Sequence, residues 1–264
     1  MHTPSLSAEA IRVGYPERSV IDCLDFTVPQ GSFTAIVGPN ACGKSTLLRA
    51  LGRMLTPSRG RVLVDGRSVA DLRSKEFARL VGVLPQSPVT PEALTVGDLV
   101  SRGRYPHQSL LRQWSADDER IVEDALEEVG MREYSDRLVE ELSGGQRQRV
   151  WIAMALAQET GVLLLDEPTT FLDIAHQIDV LELCARLTGR GRTVVAVLHD
   201  LNLAARYADH MVAMHDGRII ASGSASDVIT PDVLKTAYSL DALVLDDPET
   251  GRPLVVPRAQ QSGA

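Results

Sequence analysis

The sequence predicts an α/β domain, with a parallel sheet covered by helices on both faces and a block of helices inserted into it. Continuous apolar runs, FTAIV (33–37), VLLLD (162–166) and TVVAV (193–197), read as strands buried on both faces. Helical patterns follow each run, and such alternation implies parallel pairing. Between about residues 88 and 141 the alternation gives way to helices joined by polar connectors.

Taken in order, residues 6–37 run apolar or alternate in short pieces, with turns at 14–16 and 29–31, and read as strands. KSTLLRALGRML places Leu47, Leu48, Leu51 and Leu55 at helical spacing, and Thr56 with Pro57 ends that helix. RVLVDG (61–66) is a strand and turn, and VGVLPQ ends a further strand at Gln86. In SADDERIVEDALEEVG, Ser115 caps a helix with Asp118 three residues on. Ile121, Val122, Ala125, Leu126 and Val129 face a core, and Gly130 closes the helix. After residue 160, strand, helix, strand, helix follow as VLLLDE, IDVLELCARL, TVVAVLHD and LNLAARYAD. The tail, residues 231–258, holds a short helix and the strand-like ALVLDD and PLVVP.

The chain's 264 residues suffice for one sizeable α/β domain, or a core with a smaller subdomain. A net charge of −8 argues against nucleic acid or an anionic membrane surface as the main partner. The apolar runs are too short to span a bilayer, and the first residues do not read as a signal peptide. Cys23, Cys42 and Cys184 lack ligand spacing and read as reduced thiols, and the histidines form no metal-ligand pattern.

GPNACGKST (Gly38, Pro39, Asn40, Ala41, Cys42, Gly43, Lys44, Ser45, Thr46) matches G-x-x-x-x-G-K-[ST] between a predicted strand and a helix. Its backbone N–H groups suit a β-phosphate, Lys44 the β- and γ-phosphates, and Ser45 a Mg²⁺ ion. The loop specifies a nucleoside triphosphate without saying what the energy drives. Asp166 and Glu167 end a buried strand at its carboxyl edge, where catalytic groups of parallel sheets belong. Asp166 suits the Mg²⁺ shell and Glu167 the polarisation of an attacking water; a helix-capping acidic pair is the lesser alternative, and the phosphate loop weakens it further. His199 and Gln86 also stand at strand ends. His199 suits contact with a γ-phosphate, and Gln86 suits Mg²⁺ or the attacking water. Tyr15 is the aromatic of the first turn region, either an adenine platform or a packing residue.

LSGGQ (142–146) poses a different problem. Ser143 with Gln146 makes a capping box at a helix start, but Gly144 and Gly145 do not belong to one. A helical glycine costs up to about 1 kcal/mol relative to alanine. Bare backbone at a helix N-terminus suits close approach of a phosphate.

These residues, in this order, resemble the ATP-binding cassette family over about residues 6–258. The resemblance implies a P-loop NTPase (RecA-like) parallel-sheet core, an antiparallel β subdomain and an inserted α-helical subdomain. It divides the chain into an ATPase domain at 6–240, with helices inserted over about 88–160, and an extension at 241–260. Tyr15 resembles the adenine-stacking aromatic, Gln86 the glutamine of the Q-loop, and LSGGQ the signature. Phe171, Leu172 and Asp173 resemble the D-loop, and His199 the switch histidine. Two such cassettes pair head to tail, so Ser143, Gly144, Gly145 and Gln146 are implied to serve the ATP held by a second copy. The stretches SRGRYPHQSLL, WIAMALAQET, EPTTFLDIAHQIDVLEL and DDPETGRPLVVP resemble the ATPases of bacterial iron–siderophore importers; cobalamin and haem importers share the plan. Ala41 departs from the glycine frequent there. The expected partners are integral-membrane permease subunits and, indirectly, a substrate-binding protein, at the cytoplasmic face of the membrane. Within the insertion, Arg102, Arg104, Tyr105 and His107 are expected to contact the permease. Translation cassettes usually double up in one chain and repair types insert long coiled coils; this chain has neither feature.

Overall fold

The computed structural model describes residues 3–16, 18–86, 88, 92–108, 114–170 and 172–258. In chain order the amino-terminal elements are β1 (Leu6–Tyr15), β2 (Arg18–Val28), β3 (Phe33–Val37), α1 (Lys44–Leu51), β4 (Arg59–Val64), β5 (Arg67–Ser68), α2 (Ser74–Ala78) and β6 (Val81–Leu84). The insertion contributes α3 (Val96–Ser101), α4 (Ala116–Glu128) and α5 (Gly144–Ala157). Then come β7 (Val162–Asp166), α6 (Ile174–Gly189), β8 (Thr193–Val197), α7 (Leu201–Tyr207), β9 (His210–His215) and β10 (Arg218–Gly223). The tail holds α8 (Ala225–Val228), α9 (Pro231–Tyr238), β11 (Ala242–Asp246) and β12 (Pro253–Pro257).

The central sheet has six strands in the order β10-β9-β3-β8-β7-β6. All its pairings are parallel except β10 on β9. Its central strands β3, β7 and β8 are buried at every position because both faces are covered. Phe33, Ala35, Leu163, Leu165, Val194 and Ala196 point into one core, with α5, α6 and the insertion. Ile36, Leu164, Val195 and Val197 point into the other, which α1 shares with β1, β2 and β4. Those last strands belong to an antiparallel sheet ordered β2-β1-β4-β5. The parallel strands end on one edge, and the loops leaving β3, β7 and β8 therefore emerge together.

The helix after the phosphate loop ends at Leu51, one turn before the position expected from Thr56 and Pro57. Gly52 leaves the helix where an added Cβ would meet Val83 Cγ2 at 3.0 Å, and Arg53 turns with φ of 59°. Leu55 packs on the core from the following loop, so its helical spacing is coincidental. Gln86 and His199 stand two residues beyond β6 and β8 rather than at the last strand position. The β9–β10 hairpin is absent from the expectations above. Its signal is Asp216-Gly217 between apolar runs, both residues taking positive φ as a tight hairpin turn requires.

Arg104 is buried, contrary to its expected place on a docking surface. Its guanidinium donates to Asp118 at 2.9 Å, to Glu159 at 2.8 Å and to the carbonyl of Ala157 at 2.7 Å, tying α4 to the end of α5. Burial pushes the Asp118 carboxyl up, but hydrogen bonds from Ser115 and Arg104, and Arg104's charge, outweigh it and hold it below its usual value. A depressed carboxyl contributes stability above its unfolded value, lost as pH falls through the folded one. Arg104→Ala is expected to cost about 3–5 kcal/mol, since it leaves the buried Asp118 carboxylate without its cation. Thermal unfolding of variant and parent checks this. The difference should be full at neutral pH and shrink below about pH 4, where Asp118 protonates in the unfolded chain.

Candidate active site

The loop between β3 and α1 is shaped by residues that tolerate unusual backbone. Gly38 has φ of 151°, and a Cβ there would lie 2.3 Å from the carbonyl oxygen of Met214. Gly43, at the head of α1, has φ of 109° and supplies no side-chain cap. The first N–H groups of α1 thus face outward without an intrachain side-chain acceptor, which is the arrangement an anionic phosphate fills. Ala41 takes φ of 61° at the exposed tip, a left-handed conformation that glycine holds without strain. Lys44 is buried and its Nζ donates to the carbonyls of Gly38 at 2.9 Å and Pro39 at 2.8 Å, so the ammonium is aimed across the loop.

A cavity of about 310 Å³ opens on this loop, lined by Tyr15, Arg18, Val20, Asn40, Ala41, Gly43, Lys44, Ser45, Thr46 and Glu167. Tyr15 is half-exposed at its mouth, and its hydroxyl accepts from Arg49 at 3.3 Å. The same guanidinium lies 3.4 Å from Asp166. Arg49 was not among the expected site residues. Its signal is the i, i+4 spacing from Ser45, which sets both on one face of α1.

Asp166 is almost fully buried at the end of β7, and apart from the ion pair with Arg49 neither carboxylate oxygen accepts a well-directed hydrogen bond among the described residues. Burial raises its pKa, and the nearby Ser45 hydroxyl and Arg49 charge only partly offset that. A buried carboxylate whose hydrogen-bonding capacity is incompletely used, beside a serine hydroxyl and a phosphate-binding loop, fits a divalent cation of the Mg²⁺ type.

Glu167 is a non-glycine residue at φ of 55°, backbone strain that turns its carboxylate back toward the loop. Both of its oxygens are held. Oε2 accepts from Gln86 Nε2 at 2.6 Å and from the Thr170 hydroxyl at 3.1 Å, and Oε1 lies 2.9 Å from His199 Nε2. Thr170 is a second residue missed in the sequence, where nothing in TTFLD marks it. Gln86, Glu167 and His199 thus meet directly, beside the cavity that Glu167 shares with Lys44 and Ser45.

The signature residues do not line that cavity. Ser143 and Gln146 form the capping box, with the Ser143 hydroxyl accepting from Gln146 N at 3.2 Å and Gln146 Oε1 from Ser143 N at 3.0 Å. A Cβ on Gly144 would meet nothing within 4 Å, and one on Gly145 would make ordinary contact with His176 and Leu172. The chain's own packing thus requires neither glycine. Leu172 and Asp173 lead into α6, which Asp173 caps through His176 N at 3.0 Å; Phe171 lies outside the described residues.

A family model described as ABC transporter matches residues 21–170. The ferric enterobactin transport ATP-binding protein FepC of Escherichia coli (strain K12) is 50% identical over 96% of this chain and 93% of its own length. The iron(3+)-hydroxamate import ATP-binding protein FhuC of Bacillus subtilis (strain 168) is 48% identical over 95% and 93%. Among solved structures, the ADP conformation of MJ1267, an ATP-binding cassette of an ABC transporter, superposes with a TM-score of 0.78 at 26% identity, covering 89% of this chain and 98% of that one.

Proposed function

The chain belongs to the ABC transporter family, and on that premise we propose that it hydrolyses ATP to drive uptake of iron(III)–siderophore complexes through a membrane permease. The observation that carries the reading is the meeting of Gln86, Glu167 and His199 beside Lys44, Ser45 and Asp166, on the edge where β3, β7 and β8 end. Near-half identity to proteins named for ferric enterobactin and iron(3+)-hydroxamate supports a ferric chelate as the cargo.

In this reading Tyr15 stacks on adenine, and the N–H groups of residues 38–46 hold the α- and β-phosphates. Lys44 neutralises the β- and γ-phosphates. Ser45, Asp166 and Gln86 would hold Mg²⁺, which would screen phosphate charge there. Glu167, once released from Gln86 and His199, orients water on the γ-phosphorus and takes up its proton as ADP leaves. His199 then donates to the γ-phosphate oxygens, stabilising charge as it builds.

Residues 6–240 are the ATPase domain in this scheme, with the arm inserted at about 88–160 and an extension at 241–260. The glycines at 144 and 145, unneeded within the chain, support a signature that closes on the nucleotide of a second, head-to-tail copy. The permease docks on the arm. A groove of about 640 Å³ lies there, lined by Asp98, Ser101, Arg102, Tyr105, Gln108 and Trp114. Tyr105 and Trp114 are exposed aromatic anchors with a polar rim, the composition of a binding hot spot. No helix among the described residues is long and apolar enough to cross a membrane, which supports attachment through that groove from the cytoplasm.

Cells lacking the gene are expected to lose uptake of iron-55-labelled ferric siderophores and keep uptake of cobalamin and haem. Tyr105→Ala, in a chain that still binds ATP, should reduce uptake at least tenfold, on the order of one lost hot spot. Unchanged iron uptake with lost cobalamin or haem uptake would reassign the cargo.

A further inference from the structure

The carboxy-terminal extension packs against the helix that follows His199. It folds as a hairpin, β11 with β12, whose inward residues Ala242 and Val255 join the core beside Ala204 and Ala205 of α7. That helix has seven residues. Isolated helices of this length do not hold their shape in water, so its geometry is set from outside. Its amino-terminal cap is Asp200, whose Oδ1 accepts from the N–H groups of Asn202 at 2.8 Å and Leu203 at 2.9 Å. The residue before that cap is His199.

The hairpin grips α7 at both ends. The Asn202 side chain lies against the backbone of Val255 like a short strand partner, donating to its carbonyl at 3.2 Å and accepting from its N–H at 2.7 Å. Arg252 donates to the carbonyls of Ala205 at 3.0 Å and Ala208 at 2.5 Å, which the end of α7 leaves without helical partners. Arg206 pairs with Asp247 and Glu249 on the hairpin's connecting turn. The amide at position 202 donates from Nδ2 and accepts at Oδ1, two atoms that reach both groups of Val255 at once; aspartate keeps the acceptor and alanine keeps neither.

We infer that the carboxy-terminal hairpin is a clasp that sets the place of His199, and that Asn202 is its positioning residue. The inference rests on the reading of His199 as the group that meets the γ-phosphate. A hairpin that merely covered the apolar side of α7 would need the contacts of Ala242 and Val255. It would not need a two-way amide bond in the first turn, next to the cap that follows His199.

The test uses the full-length chain and steady-state ATPase kinetics in both the parent and a His199→Ala background. Removing His199 should cut kcat by a hundredfold or more, on the order of what loss of one transition-state donor costs. In the parent background Asn202→Ala should lower kcat on the order of tenfold, part of the roughly hundredfold that a misplacement of 1 Å can cost. KM for ATP should stay within about twofold, since binding through residues 38–46 is untouched. Asn202→Asp should recover part of the loss. In the His199→Ala background Asn202→Ala should add nothing, because a misplaced group that is absent cannot be misplaced further. Arg252→Gln loosens the clasp from the other end and should repeat the pattern, so a poorly folding Asn202→Ala does not end the test. Thermal unfolding above the assay temperature for each variant guards against global loss. Parent-like kcat in both clasp variants, or an equal fractional loss with and without His199, overturns the inference. If His199→Ala alone turns over normally, the reading of His199 itself falls, a failure seen before any clasp variant is compared.

Discussion

Glu167→Gln is expected to abolish turnover while leaving ATP bound. The substitution keeps the size of the side chain and can keep contacts with Gln86, Thr170 and His199. It removes the one carboxylate in the cavity able to take a proton from water. General-base loss typically costs about 10²–10⁴ in rate. Single-turnover hydrolysis should fall by that range, and radiolabelled ATP should remain on the protein through gel filtration. Turnover within about threefold of the parent would remove Glu167 from the mechanism, since such a change lies well below a base's usual contribution.

Lys44→Ala should act one step earlier, on binding. The buried ammonium is held by two loop carbonyls and aimed across residues that would surround the phosphates. Hydrogen bonds to charged groups are worth about 1.5–3 kcal/mol each, so affinity should fall on the order of a hundredfold. Calorimetric titration with ATP measures it. Mixing this variant with Ser143→Ala adds a test of geometry. Each homodimer is defective at both of its sites, whereas a mixed head-to-tail dimer gathers both lesions at one and leaves the other intact. Partial recovery of ATPase on mixing is the expected result. Mixed dimers that form and show none would count against pairing across chains, or against independent sites.

What the sequence disclosed was local chemistry. GPNACGKST and VLLLDE are contiguous, and their meaning depends on a strand on one side and a turn or helix on the other. The capping box at Ser143 is equally local, and it closes as expected. The parallel core followed from apolar runs too short and too continuous for anything but doubly covered strands. Arg104 was misread because its neighbours, SRGRYPHQS, look like a solvated connector. Its partners are Asp118, fourteen positions on, and Glu159, fifty-five positions on, too far apart for any short window of sequence to hold all three. Arg49 and Thr170 escaped notice for a similar reason. Neither type of residue is diagnostic, and each acquires a role only when α1, β7 and the loop after β7 are brought together. The β9–β10 hairpin was available in principle from Asp216-Gly217, but β9 is buried through its middle and shows none of the alternation that marks an ordinary hairpin strand.

The grip on Glu167 bears on how the subunit behaves when idle. An ATPase surrounded by ATP is bathed in its own fuel, and one whose base stood free would run continuously without moving any cargo. Here the base is clamped from opposite sides. Gln86 leads into the arm that would feel the permease, and His199 heads the helix that the hairpin clasps. Freeing the carboxylate therefore asks for movement in two separately anchored segments at once. With both contacts in place, movement of one segment alone is expected to leave one carboxylate oxygen still held.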